Sequence, residues 1–295
     1  MRWLIAMSRF GSAFKLTKPG IAVLLDLVAV TTFFLALKNF SLVWKLVPLL
    51  VAGTLASFSS SLANNFLDRD LDSKMKRTRW RLGSATSIGY IISIPALLAA
   101  ALSISILFLN IATTVWISLG FLSYSVLYTV VLKRRTSWNI VIGGIAGSFP
   151  ALAGWSAVGS AWSGASLFVA LIVFLWTPPH FWSLALKYKD DYKAAGVPML
   201  PAVTNEAKSI NAIVLSTGLL IAFSFLPLFM NIGLPVLYRY LLIPFSAYLI
   251  ARVVILKFGK SGRIEARAIK TFLSTNYYLT AILAILLAGS LFRII

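Results

Sequence analysis

Nine apolar blocks follow one another along this chain, joined by short polar connections, at approximately 20–38, 43–67, 86–108, 110–131, 138–158, 162–185, 210–230, 235–257 and 271–292. A helix of about 20 residues crosses a hydrocarbon core. Inside lipid every backbone N–H and C=O must be bonded within the protein, which leaves only helices or closed barrels. A barrel would alternate polar and apolar residues over ten-residue stretches, whereas these blocks are continuously apolar. The expected fold class is therefore all-α, a polytopic membrane protein with about nine transmembrane helices. A hydrophobic content of 59% and a mean hydropathy of +0.89 fit no soluble domain of this length.

Three blocks carry interruptions. The second has Lys45 and Pro48 at its start, the sixth reads as proline-broken at Pro178 and Pro179 beside His180, and the eighth holds Arg239 and Arg252. The first block has no small-residue cleavage site of the usual kind and is expected to be a retained span. The longest polar stretches, 68–85, 186–209 and 257–270, each join two blocks, so residues 1–295 are expected to form a single domain.

The net charge of +19 is distributed by topology. Alternate connections hold Lys15 and Lys18, then Lys74 to Arg81, then Lys133 to Arg135, then Lys187 to Lys193, then Lys257 to Lys270. The opposite connections are nearly bare, with Lys38, Lys45 and Arg293. Lys and Arg stay on the cytoplasmic side, so the N-terminus is expected inside, the C-terminus outside, and the chain in the cell membrane. Positive charge spaced in this way gives no reason to expect a nucleic-acid partner. The absence of cysteine excludes disulfides and thiolate metal sites.

Five of the eight acidic residues lie in two clusters, 68–72 and 190–191, both on the basic side. On a continuous helix Asn64, Asp68 and Asp72 would share a stripe about 80° wide. That set of hard oxygen ligands suits magnesium. Asp70 points elsewhere and is expected to meet Arg69, Lys74 or water. Carboxylates at the C-terminal end of a span oppose the helix dipole, so something must offset their cost. In the second cluster Asp190 and Asp191 are surrounded by Lys187, Lys189 and Lys193, and Gly196, Pro198 and Pro201 predict an ordered loop after them. Carboxylates can hold metal while Lys and Arg meet phosphate oxygens.

Arg77 and Arg81, one turn apart, could close on the first cluster or face lipid headgroups. Lys133 and Arg134 follow Tyr124 and Tyr128 and precede Asn139, Gly143, Gly144 and Gly147. Small residues there, and Gly154 beyond, permit either close helix approach or a flat ligand. His180, the only histidine, could bind a porphyrin iron, act as a base, or hydrogen-bond a carbonyl.

Acidic clusters with basic neighbours at the edge of an apolar bundle suit a lipid diphosphate with its tail among the helices. Prenyl transfer follows, with aromatic faces such as Tyr124, Tyr128 and Trp155 protecting the allylic cation. A transporter would carry acids near the middle of its spans, and only Asp26 lies deep. A haem- or lipid-binding protein would leave both acidic clusters unused.

The runs NNFLDRDLDSKMKRT at 64–78, YTVVLKRRTSWNIVIGGIAGSFPALAGW at 128–155, and PPHFW with KDDYKAAGVPMLP within 178–201 resemble the intramembrane UbiA-type prenyltransferase superfamily. The last two resemble its haem branch. The resemblance implies helices around a central cavity and a magnesium-dependent reaction, with two ions held by Asn64, Asp68, Asp72, Asp190 and Asp191. It implies that Asp68, Asp72, Asp191, Lys133 and His180 carry the chemistry. Asn64, Arg77, Arg81, Tyr128, Arg134, Asn139, Lys187 and Lys189 then hold the substrates. In that branch the farnesyl group of farnesyl diphosphate joins the 2-vinyl group of protohaem IX (haem B), water supplies a hydroxyl, and haem is substrate rather than retained cofactor. Membrane lipids and a haem-modifying protein are the further partners expected; quinone precursors and archaeal-type lipids are the alternative acceptors. Two positions depart from the superfamily pattern: Lys187 stands where a second D-x-x-x-D would begin, and Leu82 replaces a proline after Arg81.

Overall fold

A computed structural model describes residues 14–82, 87–230, 232–235, 237–259 and 263–294, and among these every regular element is helical. In chain order they are α1 (Pro19–Ala36), α2 (Leu46–Leu67), α3 (Arg69–Lys74), α4 (Ile88–Phe108), α5 (Ile111–Leu122), α6 (Asn139–Gly143), α7 (Phe149–Ser156), α8 (Gly164–Lys187), α9 (Lys189–Ala194), α10 (Leu200–Val203), α11 (Glu206–Ser224), α12 (Leu237–Phe258) and α13 (Ile264–Ile294). A 3₁₀ turn over Phe40–Lys45 leads into α2, and α5 continues as a π-helix over Ser123–Leu132.

Helix starts follow local chemistry. The side chains of Ser87, Asn110 and Asn205 accept from the backbone N–H three residues on. Ser163 and Ser166 form a reciprocal capping box at the start of α8. Each satisfies amides that the first turn leaves unpaired.

Among the described residues, eight helical segments are long and apolar enough to span a membrane. The difference from the expected nine is the block at 138–158. It runs in three short pieces, α6, a 3₁₀ turn over Gly144–Gly147, and α7. Three glycines and Pro150 within ten residues prevent a single long helix there. The pieces still traverse the bundle, with Gly144 against Thr177, Ser148 bonded to the Ala170 carbonyl, and Ala157 packed with Phe33, Leu37 and Leu49.

The opposite correction applies to α8, which stays unbroken through Pro178 and Pro179. Proline removes a backbone donor, and hydroxyls on the same helix take up carbonyls nearby: Thr177 donates to Val173 O at 2.9 Å and Ser183 to Pro179 O at 2.6 Å. Neither is a carbonyl that the prolines deprive of its helical donor, which are those of Phe174 and Leu175, so it is the burial of α8 among its neighbours that keeps it whole.

Helix α8 is central, with 67% of its spanning window buried, whereas α4 has 11% and presents nearly all of its surface outward. The main core joins α1, α7, α8, α11, α12 and α13 through Val28, Leu152, Phe168, Val169, Ile172, Leu220, Leu242 and Leu283. Lipid offers no hydrophobic force between helices, so close packing must hold them. A Cβ on Gly154 would overlap the Ala29 carbonyl oxygen and the Thr32 hydroxyl, and one on Gly143 would lie 2.5 Å from the Tyr128 ring. Of the two roles open to these glycines, close approach is the one the packing uses.

Candidate active site

The first acidic cluster is not on one continuous helix. Helix α2 ends at Leu67, Asp68 adopts φ −95°, ψ 10°, and α3 begins at Arg69. Asp68 N–H still bonds to Asn64 O at 2.9 Å and Asp72 N–H to Asp68 O at 2.8 Å, which keeps the four-residue spacing. The break meets the dipole problem: Asp70 and Asp72 now lie in the first turn of a new helix, where acidic groups are favoured. The second cluster is built alike, with α8, a break at Tyr188, and the six-residue α9 carrying Asp190 and Asp191 in its first turn.

Asp68 and Asp72 are 1% and 4% exposed, a burial that carboxylates tolerate only with partners. Lys133 Nζ lies 2.5 Å from Asp68 Oδ2, which also accepts from Asn64 Nδ2 at 2.7 Å. Arg81 Nη1 sits 3.5 Å from both oxygens of Asp72. Asn64 Nδ2 also reaches Thr129 Oγ1 at 3.1 Å. Asn64 Oδ1 accepts from Lys18 Nζ at 2.6 Å. Because an ammonium only donates, this contact fixes which way the Asn64 amide faces.

The π-helix presents the basic side. Lys133 N–H bonds to Tyr128 O at 2.8 Å and Thr129 Oγ1 donates to Tyr124 O at 2.8 Å, both spanning five residues. This wider turn sets Thr129 and Lys133 against Asn64 and Asp68 at the end of α2, with Tyr124 within reach of Lys18 and Tyr128 packed on Gly143. Tyr124 and Tyr128 stack at 5.8 Å and 22°. Asn139, fully buried, donates to Thr136 O at 2.7 Å and braces the turn after Lys133.

Asp70 pairs with Arg134, not with Arg69 or Lys74 as its local sequence suggests. Arg134 makes two contacts of 2.6 and 2.7 Å to Asp70 and one of 2.8 Å to Leu67 O. The hydrogen-bonded guanidinium holds the Asp70 carboxyl below the usual carboxylate range, and the carboxylate raises Arg134 in turn. This exposed pair clamps the break between α2 and α3.

Arg77 donates to the Tyr192 hydroxyl at 3.3 Å and covers the Tyr188 ring at 4.8 Å. Tyr192 also packs with Leu71 and Met75, so the loop of the second cluster lies against that of the first. Lys187 lies 5.0 Å from the Tyr188 ring and Lys189 pairs with Glu206 at 3.7 Å. Asp190 is exposed and Asp191 half-buried, and neither has a side-chain partner among the described residues.

His180 sits elsewhere, between α8 and α13. Its ring stacks on Trp176 at 4.0 Å and Phe272 at 4.3 Å, and Nδ1 lies 3.0 Å from Thr275 Oγ1.

Lys18 is the site residue that sequence reasoning missed, having counted it only as a topology charge. Its signal was its place directly before Pro19, at the basic end of the first span. Burial, with Arg81 and Lys133 nearby, pushes its ammonium down to about 7. Its backbone is left-handed at φ 54°, a conformation that costs about 1–3 kcal/mol for a residue other than glycine.

The donor set fits magnesium. Asp68 Oδ1 is buried without a hydrogen-bond donor, with the Arg134 guanidinium 3.8 Å away, so it keeps lone pairs for a ligand. No three Asp, Glu, His or Cys side chains converge among the described residues, and magnesium is commonly bound by one or two carboxylates plus substrate phosphates. Lys18, Lys133 and Arg81 around Asp68 and Asp72 leave the site net positive, as an anionic ligand requires.

The model of the UbiA prenyltransferase family matches residues 25–276. The chain belongs to that family. It is 41% identical over 284 residues, 94% of this chain and 96% of the other, to a protein of Picrophilus torridus named protoheme IX farnesyltransferase 2. A solved structure described as digeranylgeranylglyceryl phosphate synthase shares the fold at TM-score 0.75 and 16% identity, covering 96% of this chain and 99% of that one. A UbiA homologue of Archaeoglobus fulgidus bound to DMAPP and Mg2+ superposes at TM-score 0.64 and 13% identity, covering 93% and 99%. As a UbiA-family member the chain is a multi-pass membrane prenyltransferase, and the acidic clusters, Lys133 and Arg81 lie at one end of its bundle.

Proposed function

We propose that this chain joins the farnesyl group of farnesyl diphosphate to the 2-vinyl group of protohaem IX, with addition of water, to give haem O and diphosphate. The observation that carries this reading is near-full-length similarity to a protohaem farnesyltransferase, joined to a buried carboxylate pair ringed by cations. The family likeness alone would leave the acceptor open.

Asn64, Asp68 and Asp72 would hold magnesium; Asp190 and Asp191, on the adjoining loop, do not converge with them among the described residues and would have to close on the bound diphosphate to share it. Bound magnesium neutralises charge on the diphosphate as it leaves. Lys133 and Arg81 face the same region and bind phosphate oxygens; they stabilise charge that grows as the allylic C–O bond breaks with its electron pair on the diphosphate. The freed C1 bonds to the outer vinyl carbon of the acceptor, the inner carbon takes a water oxygen, and that water loses a proton. The stacked Tyr124 and Tyr128 rings turn polarisable faces toward the cationic carbon and keep bulk water from it. His180, held between aromatic rings, fixes α8 against α13 and so shapes the acceptor side. The basic end of the bundle faces the cytoplasm.

The test is turnover by purified chain in lipid nanodiscs with magnesium, protohaem and farnesyl diphosphate, with geranylgeranyl diphosphate in competition. The expected product is haem heavier by one farnesyl and one hydroxyl group. Unmodified haem, with a quinone precursor or glyceryl phosphate lipid prenylated instead, would refute the acceptor and leave prenyl transfer standing.

A further inference from the structure

We propose that Lys18 is a diphosphate-binding residue whose ammonium, held on Asn64 Oδ1, passes to the phosphate oxygens when substrate binds. This rests on the diphosphate reading above.

Lys18 is the only residue other than glycine with positive φ among the described residues. It directly precedes Pro19, and proline disfavours such a conformation in the residue before it. It has no capping hydrogen bond that would explain the strain. What the left-handed turn achieves is direction: the side chain runs inward to Asn64 Oδ1 at 2.6 Å and the Tyr124 hydroxyl at 3.4 Å. Strain kept at such a point is a sign of function.

Tethering the chain to α2 does not account for Lys18. Asn65 Nδ2 already donates to Leu16 O at 2.9 Å, two residues away, and Asn65 is buried. Nor does Lys18 form an ion pair among the described residues, although Lys133 pairs with Asp68 and Arg81 with Asp72. Asp68 and Asp72 attract its ammonium, but Arg81 and Lys133 repel it more and its direct polar contacts are both neutral, so it is short of an anion. Meanwhile it occupies the one Asn64 oxygen that a metal ion would need. When a metal takes that oxygen, the displaced ammonium keeps three donors on a flexible stem, suited to a phosphate group.

Magnesium-dependent binding of inorganic pyrophosphate to purified protein in nanodiscs tests this, with Michaelis constants for both substrates alongside. Lys18→Met should weaken pyrophosphate binding and raise the farnesyl diphosphate KM by roughly tenfold or more, leaving the protohaem KM and the melting temperature near those of the parent. Lys18→Arg should recover most of the affinity. Asn65→Ala should lower the melting temperature without changing pyrophosphate affinity. Parent-like pyrophosphate binding by Lys18→Met overturns the proposal alone. Loss of binding together with stability, unrestored by arginine, assigns a structural role and also overturns it. If the parent protein binds no pyrophosphate with magnesium, the diphosphate reading falls and takes this proposal with it.

Discussion

Asp68→Asn and Asp70→Asn make the same chemical change two residues apart, in opposite surroundings. Asp68 is 1% exposed, meets Lys133 at 2.5 Å and keeps a second oxygen that accepts no hydrogen bond and has Arg134 3.8 Å away. Asparagine there keeps the volume but removes the charge that a metal and Lys133 both use. The loss of one electrostatic contributor of this kind lowers turnover by about 100-fold or more, equivalent to about 2.7 kcal/mol of transition-state stabilisation. Lys133, left beside a neutral amide, also weakens the fold, but its partial exposure lets water relieve part of that cost. Asp70 is mostly exposed in its pair with Arg134, and such pairs contribute about 0–1 kcal/mol. Its variant should turn over within about threefold of the parent. Single-turnover rates in nanodiscs with farnesyl diphosphate, protohaem and magnesium, normalised to folded protein, decide the matter. Near-parent turnover by Asp68→Asn, or a larger loss from Asp70→Asn, would refute the assignment of the buried carboxylate as the working one.

Chelation of magnesium should abolish turnover and its return restore it, while calcium, which prefers more ligands and longer bonds, should restore little; equal rates in EDTA would remove metal from the reaction. Gly154→Val should cost about 1–3 kcal/mol by overpacking α7 against α1, read as a lower melting temperature; an unchanged value would show that the helices separate freely. Asp70 has a lowered folded pKa, so its small stabilisation is complete above the unfolded value and is lost as pH falls through the folded one. The difference in melting temperature between parent and Asp70→Asn should therefore be flat from about pH 5 to 8, and a slope there would contradict the pairing. His180→Phe preserves the stack between Trp176 and Phe272 and should leave farnesyl diphosphate affinity unchanged in titration; a selective loss of that affinity would place His180 at the diphosphate.

Much of the site was legible because its residues are close in sequence. The spacing of Asn64, Asp68 and Asp72 survives in hydrogen bonds that still span four residues. What spacing could not show was the helix break at Asp68 and the guanidinium that bridges it, since Arg134 reaches Asp70 from 64 residues away and Leu67 O from 67. Partners in three dimensions also divided residues that look equivalent in the chain: Arg81 went to Asp72 and Arg77 to Tyr188 and Tyr192.

The sequence alone determined an all-helical membrane bundle, because long apolar blocks leave the backbone no other way to satisfy its hydrogen bonds in lipid. It also determined that two acidic clusters lie on the basic side, because the charges between spans fix which ends share a face. Only the tertiary structure decided that Pro178 and Pro179 leave α8 whole, that the 138–158 block crosses in pieces, and that Lys18 belongs to the site. Those outcomes rest on packing and polar contacts between separate segments, and periodicity within one segment carries no record of what the next segment brings to it.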